Sequence, residues 1–334
     1  MKKDHILVTG GAGFIGSHLC EKLMSLGYKV TIVDNINNYY SPQYKYNNLK
    51  EIKYNANLLN ISHPNIHIID ILDLEQLSKL FEQNQFDGVI HLAAYAGVRP
   101  SIENPLLYTN VNIDGTINIL ECLKKYKVNK LVFASSSSIY GNNKHVPFKE
   151  TDFVDNPISP YAATKKSCEL LCHTYHHLYN INIACLRFFT VYGPRQRPDL
   201  AIYKFTKSIF DNTEISLYGD GSTERDYTYI TDIVDGISKA LSWTSNTQNA
   251  FEIFNLGGAQ TISLLKMVKT IEKTIGKKAK VNFLSMQPGD VNRTFADISK
   301  SKNILSYFPT MSFDRGIEYF IEWYRKERVT LNTY

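Results

Sequence analysis

The chain has 334 residues, of which 43% are hydrophobic and 21% charged, so it is long enough to bury the core of one large domain or two closely joined domains. The formal net charge of +5 comes from interspersed basic and acidic residues, which argues against a nucleic-acid-binding surface and suits an acidic small ligand. No apolar run approaches the ~20 residues that span a bilayer, and five cysteines without a signal peptide predict reduced thiols in the cytoplasm.

Short β-rich segments alternate with helical patterns through the first half of the chain. The predicted strands cover residues 6–8, 30–33, 66–69, 89–92, 131–134 and 183–189, and the predicted helices cover 14–24, 106–126 and 161–179. This alternation is typical of an α/β fold with a Rossmann-type, doubly wound parallel sheet. We therefore expect a ligand crevice at the carboxyl ends of the strands.

The pattern changes after about residue 190, where glycine and proline separate shorter elements. We predict a smaller C-terminal α/β domain that binds the substrate. A helix at 230–243 and a strand at 251–256 are expected to return to the first sheet. The predicted division therefore joins 1–190 with 230–256 in the Rossmann domain and leaves 191–229 and 257–334 to the second domain.

A glycine-rich loop follows the first predicted strand and opens the first predicted helix. Gly10, Gly13 and Gly16 would allow a tight turn, bring backbone N–H groups to a pyrophosphate and permit close packing of helix on strand. Asp34, at the end of the second strand, can accept both ribose hydroxyls of NAD and would repel the 2′-phosphate of NADP. A turn cap is the alternative for Asp34 alone, but with the loop it predicts NAD as the cofactor.

Other residues are expected beside the cofactor because they follow strand ends. Asp70 is placed to meet the adenine edge, whereas Asn112 could bond across the site or cap a neighbouring turn. The predicted cofactor-binding residues are Gly10, Gly13, Phe14, Ile15, Gly16, Asp34, Asn35, Asp70, Ile71, Leu92, Ala93, Ala94, Asn112, Ser135, Tyr161, Lys165 and Phe189.

Tyr161 and Lys165 are spaced to share one face of a helix, which Ser159 would cap and Pro160 would begin. A cation beside the phenol would lower its pKa and make it a usable acid and base. The alternative for the spacing alone is an amphipathic surface pair. The glycine loop and the serine run at 135–138 favour the catalytic interpretation.

The same helix carries two cysteines and three histidines, at 168, 172, 173, 176 and 177. They follow one another along the helix without forming a closed ligand set, so we expect no metal site.

With these motifs the chain resembles the extended short-chain dehydrogenases/reductases, in particular the nucleotide-sugar epimerases and dehydratases. The segments that carry the resemblance are 9–16, 91–94, 135–141, 161–165, 225–227 and 289–290, and the match extends to about residue 297. The resemblance implies a tightly held NAD and a UDP-sugar substrate bound by the second domain. It further implies that Tyr161 takes the proton of the sugar 4-hydroxyl while C4 gives hydride to NAD, forming a 4-keto intermediate. Lys165 would hold the nicotinamide ribose, and Ser136 would lie beside the 4-hydroxyl.

The serine run bears on which reaction of that group is expected. A 4,6-dehydratase would need adjacent acidic residues, and the related decarboxylase carries a glutamate near the same place. This chain has Ser137 and Ser138 there, which cannot act as carboxylates. Redox-neutral 4-epimerisation is therefore predicted.

The segment after the sixth strand bears on the sugar. Thr190 and Arg197 resemble the pair that grips the C6 carboxylate in UDP-glucuronate 4-epimerases, and guanidinium binds carboxylate through two parallel bonds. The alternatives are a solvated loop or a diphosphate contact. The predicted activity is thus conversion of UDP-glucuronate to UDP-galacturonate. The rivals are a 4-epimerase of neutral UDP-hexoses, a UDP-glucuronate decarboxylase, a net oxidoreductase and a non-catalytic NAD-binding regulator.

The resemblance also assigns residues to the rest of the substrate. Arg225 would bind the diphosphate, Asp290 the uridine ribose, and Arg293 either a phosphate or Asp297. The predicted substrate-binding residues are Arg99, Ser136, Ser137, Ser138, Tyr161, Thr190, Arg197, Leu200, Ser216, Tyr218, Arg225, Asp290 and Arg293. We interpret the Asn- and Tyr-rich stretch 35–60 as a surface excursion, and expect a homodimer through the helices at 106–126 and 162–179.

Overall fold

The computed structural model describes residues 4–285 and 291–331. The strands, in chain order, are β1 (His5–Thr9), β2 (Lys29–Asp34), β3 (Asn65–Ile68), β4 (Gly88–His91), β5 (Lys130–Ser136), β6 (Asn182–Phe188), β7 (Thr190–Tyr192), β8 (Glu214–Tyr218), β9 (Glu224–Tyr229), β10 (Phe251–Leu256), β11 (Thr261–Ser263) and β12 (Lys280–Leu284).

The helices are α1 (Phe14–Ser25), α2 (Pro42–Leu58), α3 (Leu74–Gln83), α4 (Val98–Glu103), α5 (Pro105–Thr109), α6 (Gly115–Tyr126), α7 (Pro160–Tyr179), α8 (Ala201–Phe210), α9 (Ile230–Asn246), α10 (Leu264–Ile275), α11 (Ser299–Leu305) and α12 (Phe313–Leu331). A π-helical turn, Asn110–Asp114, joins α5 to α6, and a 3₁₀ turn, Ser137–Tyr140, follows β5.

A parallel sheet lies at the centre of the fold. In the described residues it has seven strands in the order β10-β6-β5-β4-β1-β2-β3. All five residues of β1 and all four of β4 are buried, because helices cover both faces of a doubly wound sheet. The order reverses between β1 and β4, and the crevice outside their carboxyl ends is where such a fold binds its ligands.

The predicted α/β fold with a doubly wound parallel sheet is therefore confirmed. The strand at 251–256 runs parallel to β6 and forms one edge of the sheet, reached through α9. The predicted helix at 106–126 differs, because the π-helical turn interrupts it. A π-helical turn adds a residue to the helix and redirects the side chains within it, which a 3.6-residue periodicity does not reveal.

The smaller part of the molecule is built on two small sheets. One has the order β11-β9-β7 and the other pairs β12 with β8, as far as the described residues go. Helix α10 contacts both α8 and α12 beside them. This part therefore forms an α/β layer over the carboxyl ends of the large sheet, with β7 following directly on β6.

The stretch 35–60 is not a surface excursion, and that interpretation is wrong. Most of it forms α2, which packs against α1. Helix α2 buries Leu49 and Ile52 in the core together with the polar residues Lys45 and Asn48. The Asn and Tyr content concealed the apolar stripe, because side chains that bind partners inside the protein have the same composition as a solvated face.

Among the described helices, none combines the length and the hydropathy required to cross a bilayer.

Candidate active site

A crevice of about 710 Å³ lies between the large sheet and the smaller part of the molecule. It brings together most of the predicted site residues. Those that line it are Gly10, Gly13, Phe14, Ile15, Gly16, Asp34, Asn35, Ile71, Leu92, Ala93, Ala94, Arg99, Ser135, Ser136, Ser137, Ser138, Tyr161, Lys165, Phe189, Thr190, Arg197, Leu200 and Arg225. Residues more than 200 positions apart in sequence thus face one space.

The glycine loop forms a tightly packed cradle, in which a Cβ at two of the glycines would collide with the protein's own backbone. Gly10 has a φ of +71°, and a Cβ on it would lie 2.8 Å from the backbone nitrogen of Ala93. A Cβ on Gly16 would lie 2.1 Å from the carbonyl oxygen of Gly10. Helix α1 begins at Phe14 with no side chain capping its N-terminus, so its first N–H groups are free to bind an anion. The loop therefore fits the pyrophosphate of a dinucleotide.

The carboxylate of Asp34 has more partners than the sequence suggested. It accepts hydrogen bonds from the backbone nitrogens of Ala12 (3.2 Å) and Ile36 (2.9 Å) and from Lys45 Nζ (3.1 Å). Lys45 is itself buried and also donates to Asn37 Oδ1 at 3.2 Å. A carboxylate has about four lone-pair positions, so Asp34 is held in place and can still accept from a ligand hydroxyl.

Two residues predicted to bind the cofactor act from behind the crevice wall. Asp70 accepts a 2.8 Å hydrogen bond from Asn35 Nδ2, which positions the lining residue Asn35. Asn112 lies in the π-helical turn and bonds both the N–H (2.8 Å) and the carbonyl (3.0 Å) of Tyr95, and Thr164 Oγ1 (3.0 Å). It thus joins the loop after β4 to α7.

Helix α7 carries Tyr161 and Lys165 into the crevice. Its cap is as predicted, with Ser159 Oγ accepting from Ala162 N at 3.1 Å and Pro160 beginning the helix. Lys165 Nζ donates to the carbonyl of Ala134 at 2.7 Å, and burial lowers the pKa of Lys165 to about 8. Tyr161 and Lys165 therefore face the same space, the geometry that acid–base chemistry needs.

The pKa of Tyr161 does not change in the way that the sequence suggested. Burial raises it above its usual value, and the opposing effects come from a hydrogen bond with the Ser136 side chain and from the charge of Arg197. The ammonium group of Lys165 is directed at the carbonyl of Ala134 and lies over the ring of Phe133. The expectation that Lys165 lowers the pKa of Tyr161 is corrected accordingly.

Ser135 and Ser136 of the serine run have different partners. Ser135 Oγ donates to Glu169 Oε1 at 2.6 Å, and Glu169 forms a buried two-bond ion pair with Arg187. Ser136 Oγ accepts from the backbone nitrogen of Ser138 at 3.2 Å and from its hydroxyl at 2.9 Å. Ser135 therefore supports α7, whereas Ser136 reaches the phenol of Tyr161.

Arg197 and Thr190 both line the crevice. Arg197 Nε and Nη2 donate to the two carboxylate oxygens of Asp199 at 2.9 and 2.6 Å, and its guanidinium carbon lies 5.1 Å from the ring centroid of Tyr39. Arg195, two residues earlier, has a φ of +61° and pairs with Glu51 and Glu21 instead. Arg197 is consequently not a solvated loop residue.

Only some of the residues predicted to bind the nucleotide line the crevice. Leu200 and Arg225 line the crevice, whereas Ser216, Tyr218 and Arg293 do not among the described residues. The ring of Tyr218 lies 4.5 Å from the guanidinium of Arg99, and Ser216 is exposed on the same strand.

For Arg293 the alternative of a pair with Asp297 is corrected, whereas the phosphate contact stays a prediction. Arg293 Nε donates to Glu224 at 2.9 Å rather than to Asp297. Asp290 lies outside the described residues.

The cysteines and histidines of α7 have structural partners. Cys168 and Cys172 are fully buried, and Cys168 Sγ donates to the carbonyl of Asn112. The ring of His173 packs edge-on against Phe251. Within the described residues, no three potential metal ligands are grouped together.

Several crevice residues were missed by sequence reasoning. They include Asn37, Tyr39, Tyr40, Lys45, Asp199 and Lys204. The first four belong to the stretch interpreted as a surface excursion, where the repeated tyrosines were the available signal. Asp199 lies two residues after Arg197, a spacing that permits a local ion pair.

Fold and site together define a short-chain dehydrogenase/reductase of the extended, nucleotide-sugar-binding kind. The model of the GDP-mannose 4,6 dehydratase family matches residues 7–320. The chain belongs to that family.

Relatives within the family point to a narrower group. The chain is 45% identical to the UDP-glucuronate 4-epimerase of Thermodesulfobacterium geofontis over 328 residues, 98% of each chain. It is 38% identical to the UDP-glucuronic acid 4-epimerase of Bacillus cereus, solved with UDP-glucuronic acid and NAD, with a TM-score of 0.88 over 97% of this chain and 99% of that one. UDP-glucose 4-epimerase of Thermotoga maritima is 32% identical, with a TM-score of 0.87 over 97% and 99%.

Proposed function

We propose that this protein is an NAD-dependent isomerase that converts UDP-glucuronate to UDP-galacturonate by inverting C4. The observation that carries the proposal is the placement of Arg197 and Thr190 in the same crevice as Tyr161, Lys165 and Ser136. The first pair suits a C6 carboxylate, and the other three suit oxidation at a neighbouring carbinol. The 45% identical UDP-glucuronate 4-epimerase supports the same conclusion.

The glycine cradle and Asp34 support NAD as the resident cofactor. Gly10 and Gly16 allow the loop and α1 to pack closely, which brings the uncapped first N–H groups of α1 to a pyrophosphate, and Asp34 offers a carboxylate oxygen to a ribose hydroxyl. When bound, NAD accepts hydride from C4 of the sugar and returns it to the opposite face. A 2′-phosphate would face the carboxylate of Asp34, which disfavours NADP.

The residues of this chain would handle the proton. Tyr161 takes the proton of the 4-hydroxyl and later returns it, and the Ser136 hydroxyl stabilises the phenolate by hydrogen bonding. Lys165, fixed on the carbonyl of Ala134, holds a positive charge on the same wall of the crevice. Tyr161 and Ser136 are therefore proposed as catalytic residues, and Lys165 as the residue that holds the nicotinamide ribose.

Epimerisation is favoured over the elimination that gives the family its name. A 4,6-dehydratase must move protons at C5 and C6, which requires acid and base groups beside those carbons. Ser137 and Ser138 line the crevice at the corresponding place and cannot act as carboxylates. The sugar ring would instead turn over in the crevice and accept hydride on its other face.

The guanidinium of Arg197 distinguishes the uronate from a neutral hexose. A carboxylate at C6 can form charge-assisted bonds with it, whereas a hydroxymethyl group cannot. Such bonds would also hold the carboxylate out of line with the 4-keto group and suppress loss of CO₂. The second candidate, a 4-epimerase of neutral UDP-hexoses, rests on the 32% identical UDP-glucose 4-epimerase.

The two parts of the molecule are proposed to bind different ligands. We propose that 1–190 with 230–256 bind NAD, and that 191–229 and 257–334 bind the nucleotide sugar. The residues proposed to contact the nucleotide part of the substrate, or to lie near it, are Arg99, Leu200, Arg225, Ser216, Tyr218, Asp290 and Arg293.

We further propose a homodimer formed through α5–α6 and α7. Leu106 and Leu170 on these helices are 78% and 58% exposed, and a second copy of the chain would cover them. Five free, buried thiols suit the cytoplasm, and a UDP-galacturonate product suits polysaccharide biosynthesis.

The test is incubation of the purified protein with UDP-glucuronate and, separately, UDP-glucose, with the products identified by proton NMR. UDP-galacturonate without net NADH or CO₂ is the expected result, and Tyr161→Phe is the matched inactive control. Turnover of UDP-glucose alone would be consistent with the epimerase mechanism but would rule out UDP-glucuronate as the substrate. Release of CO₂ would contradict the argument from Ser137 and Ser138.

A further inference from the structure

The guanidinium of Arg197 is already paired on one edge. Its Nε and Nη2 donate to Asp199 Oδ1 and Oδ2 at 2.9 and 2.6 Å. An arginine has five N–H donors, so this pairing leaves both donors of Nη1 and one of Nη2 for another acceptor. A second carboxylate can therefore bind the adjacent edge without displacing Asp199.

Tyr39 restricts the guanidinium from one face. Its ring centroid lies 5.1 Å from the Arg197 guanidinium carbon, and its hydroxyl donates to the carbonyl of Ala96 at 2.7 Å. The ring also packs edge-on against Tyr95 at 5.4 Å. Tyr39 is held at both its hydroxyl and its ring. Its ring therefore fixes the orientation of the Arg197 guanidinium plane, and Asp199 pairs with one particular edge of that guanidinium.

The pair lies where charge interactions are strong. The side chains of Arg197 and Asp199 are 18% and 33% exposed, and Tyr39 and Tyr40 line the crevice beside them. An unpaired cation in such surroundings loses much of its hydration, whereas the ion pair is neutral overall.

We propose that Asp199 is the internal counter-ion of Arg197, that it shares this guanidinium with the C6 carboxylate of the substrate, and that it thereby determines how strongly the crevice discriminates a UDP-uronate from a neutral UDP-hexose. This inference rests on the proposed function. Asp199 is a positioning residue, because it acts on the substrate through Arg197.

The effect on each ligand differs in sign. A neutral hexose finds Arg197 already paired, so it leaves no buried cation without a partner. A uronate gains bonds to the free edge but meets the negative charge of Asp199. Two carboxylates on adjacent edges of a guanidinium lie about 5 Å apart, and at an effective dielectric of about 20 their repulsion corresponds to roughly 250-fold in affinity. Partial exposure reduces this to about tenfold.

The experiment measures binding without turnover. Tyr161→Phe protein carrying NAD is compared with the double variant Tyr161→Phe/Asp199→Asn by calorimetric titration with UDP-glucuronate and with UDP-glucose. Asparagine keeps one acceptor for Arg197 and removes the charge. The expected result is that the ratio of the two affinities shifts about tenfold towards UDP-glucuronate.

Two further variants keep the test decisive. Asp199→Ala removes the charge as well and is expected to shift the ratio in the same direction, so it replaces the asparagine variant if that one does not fold. Asp211→Asn is the matched control, because Asp211 pairs with Arg328 (2.8 Å) just beyond the opposite end of α8 and is not a crevice-lining residue among those described. It should leave the ratio unchanged.

The failures of the two proposals are distinguishable. If wild-type protein fails to convert UDP-glucuronate in the NMR assay, the proposed function is wrong and the role of Asp199 falls with it. If wild-type protein converts it but the Asp199 variants leave the ratio unchanged, or shift it towards UDP-glucose, only the role of Asp199 is refuted. An equal loss for both ligands would assign Asp199 to loop structure alone and would also refute the inference.

Discussion

Replacing Glu169 by alanine is expected to destabilise the protein strongly, although Glu169 is not among the lining residues of the crevice. Glu169 and Arg187 are 2% and 1% exposed, and two hydrogen bonds of 2.9 Å join them. Ser135 Oγ donates a further bond of 2.6 Å to the glutamate. The network therefore ties α7, which carries Tyr161 and Lys165, to the carboxyl ends of β5 and β6.

The magnitude follows from what the substitution leaves behind. Two charge-assisted bonds at roughly 1.5–3 kcal/mol each disappear, and Arg187 remains as a buried cation without its counter-ion. Removal of one partner of a buried ion pair costs about 3–5 kcal/mol, in agreement with that sum. Arg187 Nη1 keeps its 2.9 Å bond to the Tyr140 hydroxyl, which cannot neutralise the charge.

Urea denaturation followed by circular dichroism measures this loss as a lower midpoint at constant slope. The control is the double replacement Glu169→Leu with Arg187→Met, because apolar side chains of similar volume can replace a buried ion pair at little cost. The double variant should be markedly more stable than Glu169→Ala. A loss below about 1 kcal/mol for Glu169→Ala would refute the reasoning.

Three further outcomes are expected. Gly16→Ala places a Cβ 2.1 Å from the carbonyl oxygen of Gly10, so the purified protein should release little NAD on denaturation. An NAD content equal to that of the wild-type protein would contradict the proposal that the glycine loop binds NAD. Ser136→Ala removes a hydrogen bond that lowers the pKa of Tyr161, so that pKa should rise further. The part of the pH profile in which kcat increases with pH should then move to higher pH. An unchanged pH profile would refute the effect of Ser136 on Tyr161. Arg197→Ala should raise the KM for UDP-glucuronate by about a hundredfold and leave the KM for UDP-glucose unchanged. An equal effect on the kinetics of both substrates would refute the proposal that Arg197 binds the C6 carboxylate.

The local motifs were predictable because their geometry depends on neighbours in sequence. A strand, a glycine turn and a helix follow one another at 5–25, so the cradle could be placed from spacing alone. The cap of α7 at Ser159 and Pro160 is equally local, and so is the shared face of Tyr161 and Lys165.

The partners of the ionisable groups were not predictable in the same way. Lys45 was hidden in a polar stretch and meets Asp34 only because α2 packs over the end of β2. Tyr39 reaches Arg197 across 158 positions of sequence, and Arg293 pairs with Glu224 rather than with the nearer Asp297.

The sequence by itself determined the parallel α/β fold, the dinucleotide loop and the residue types for chemistry at a carbinol. Only the tertiary structure decided which charges are paired. It directs Lys165 at Ala134, leaves the pKa of Tyr161 raised, and packs the ring of Tyr39 against Arg197. The physical reason is that burial and the distance between charges set the energy of an ionisable group, and both arise only when elements distant in sequence pack together.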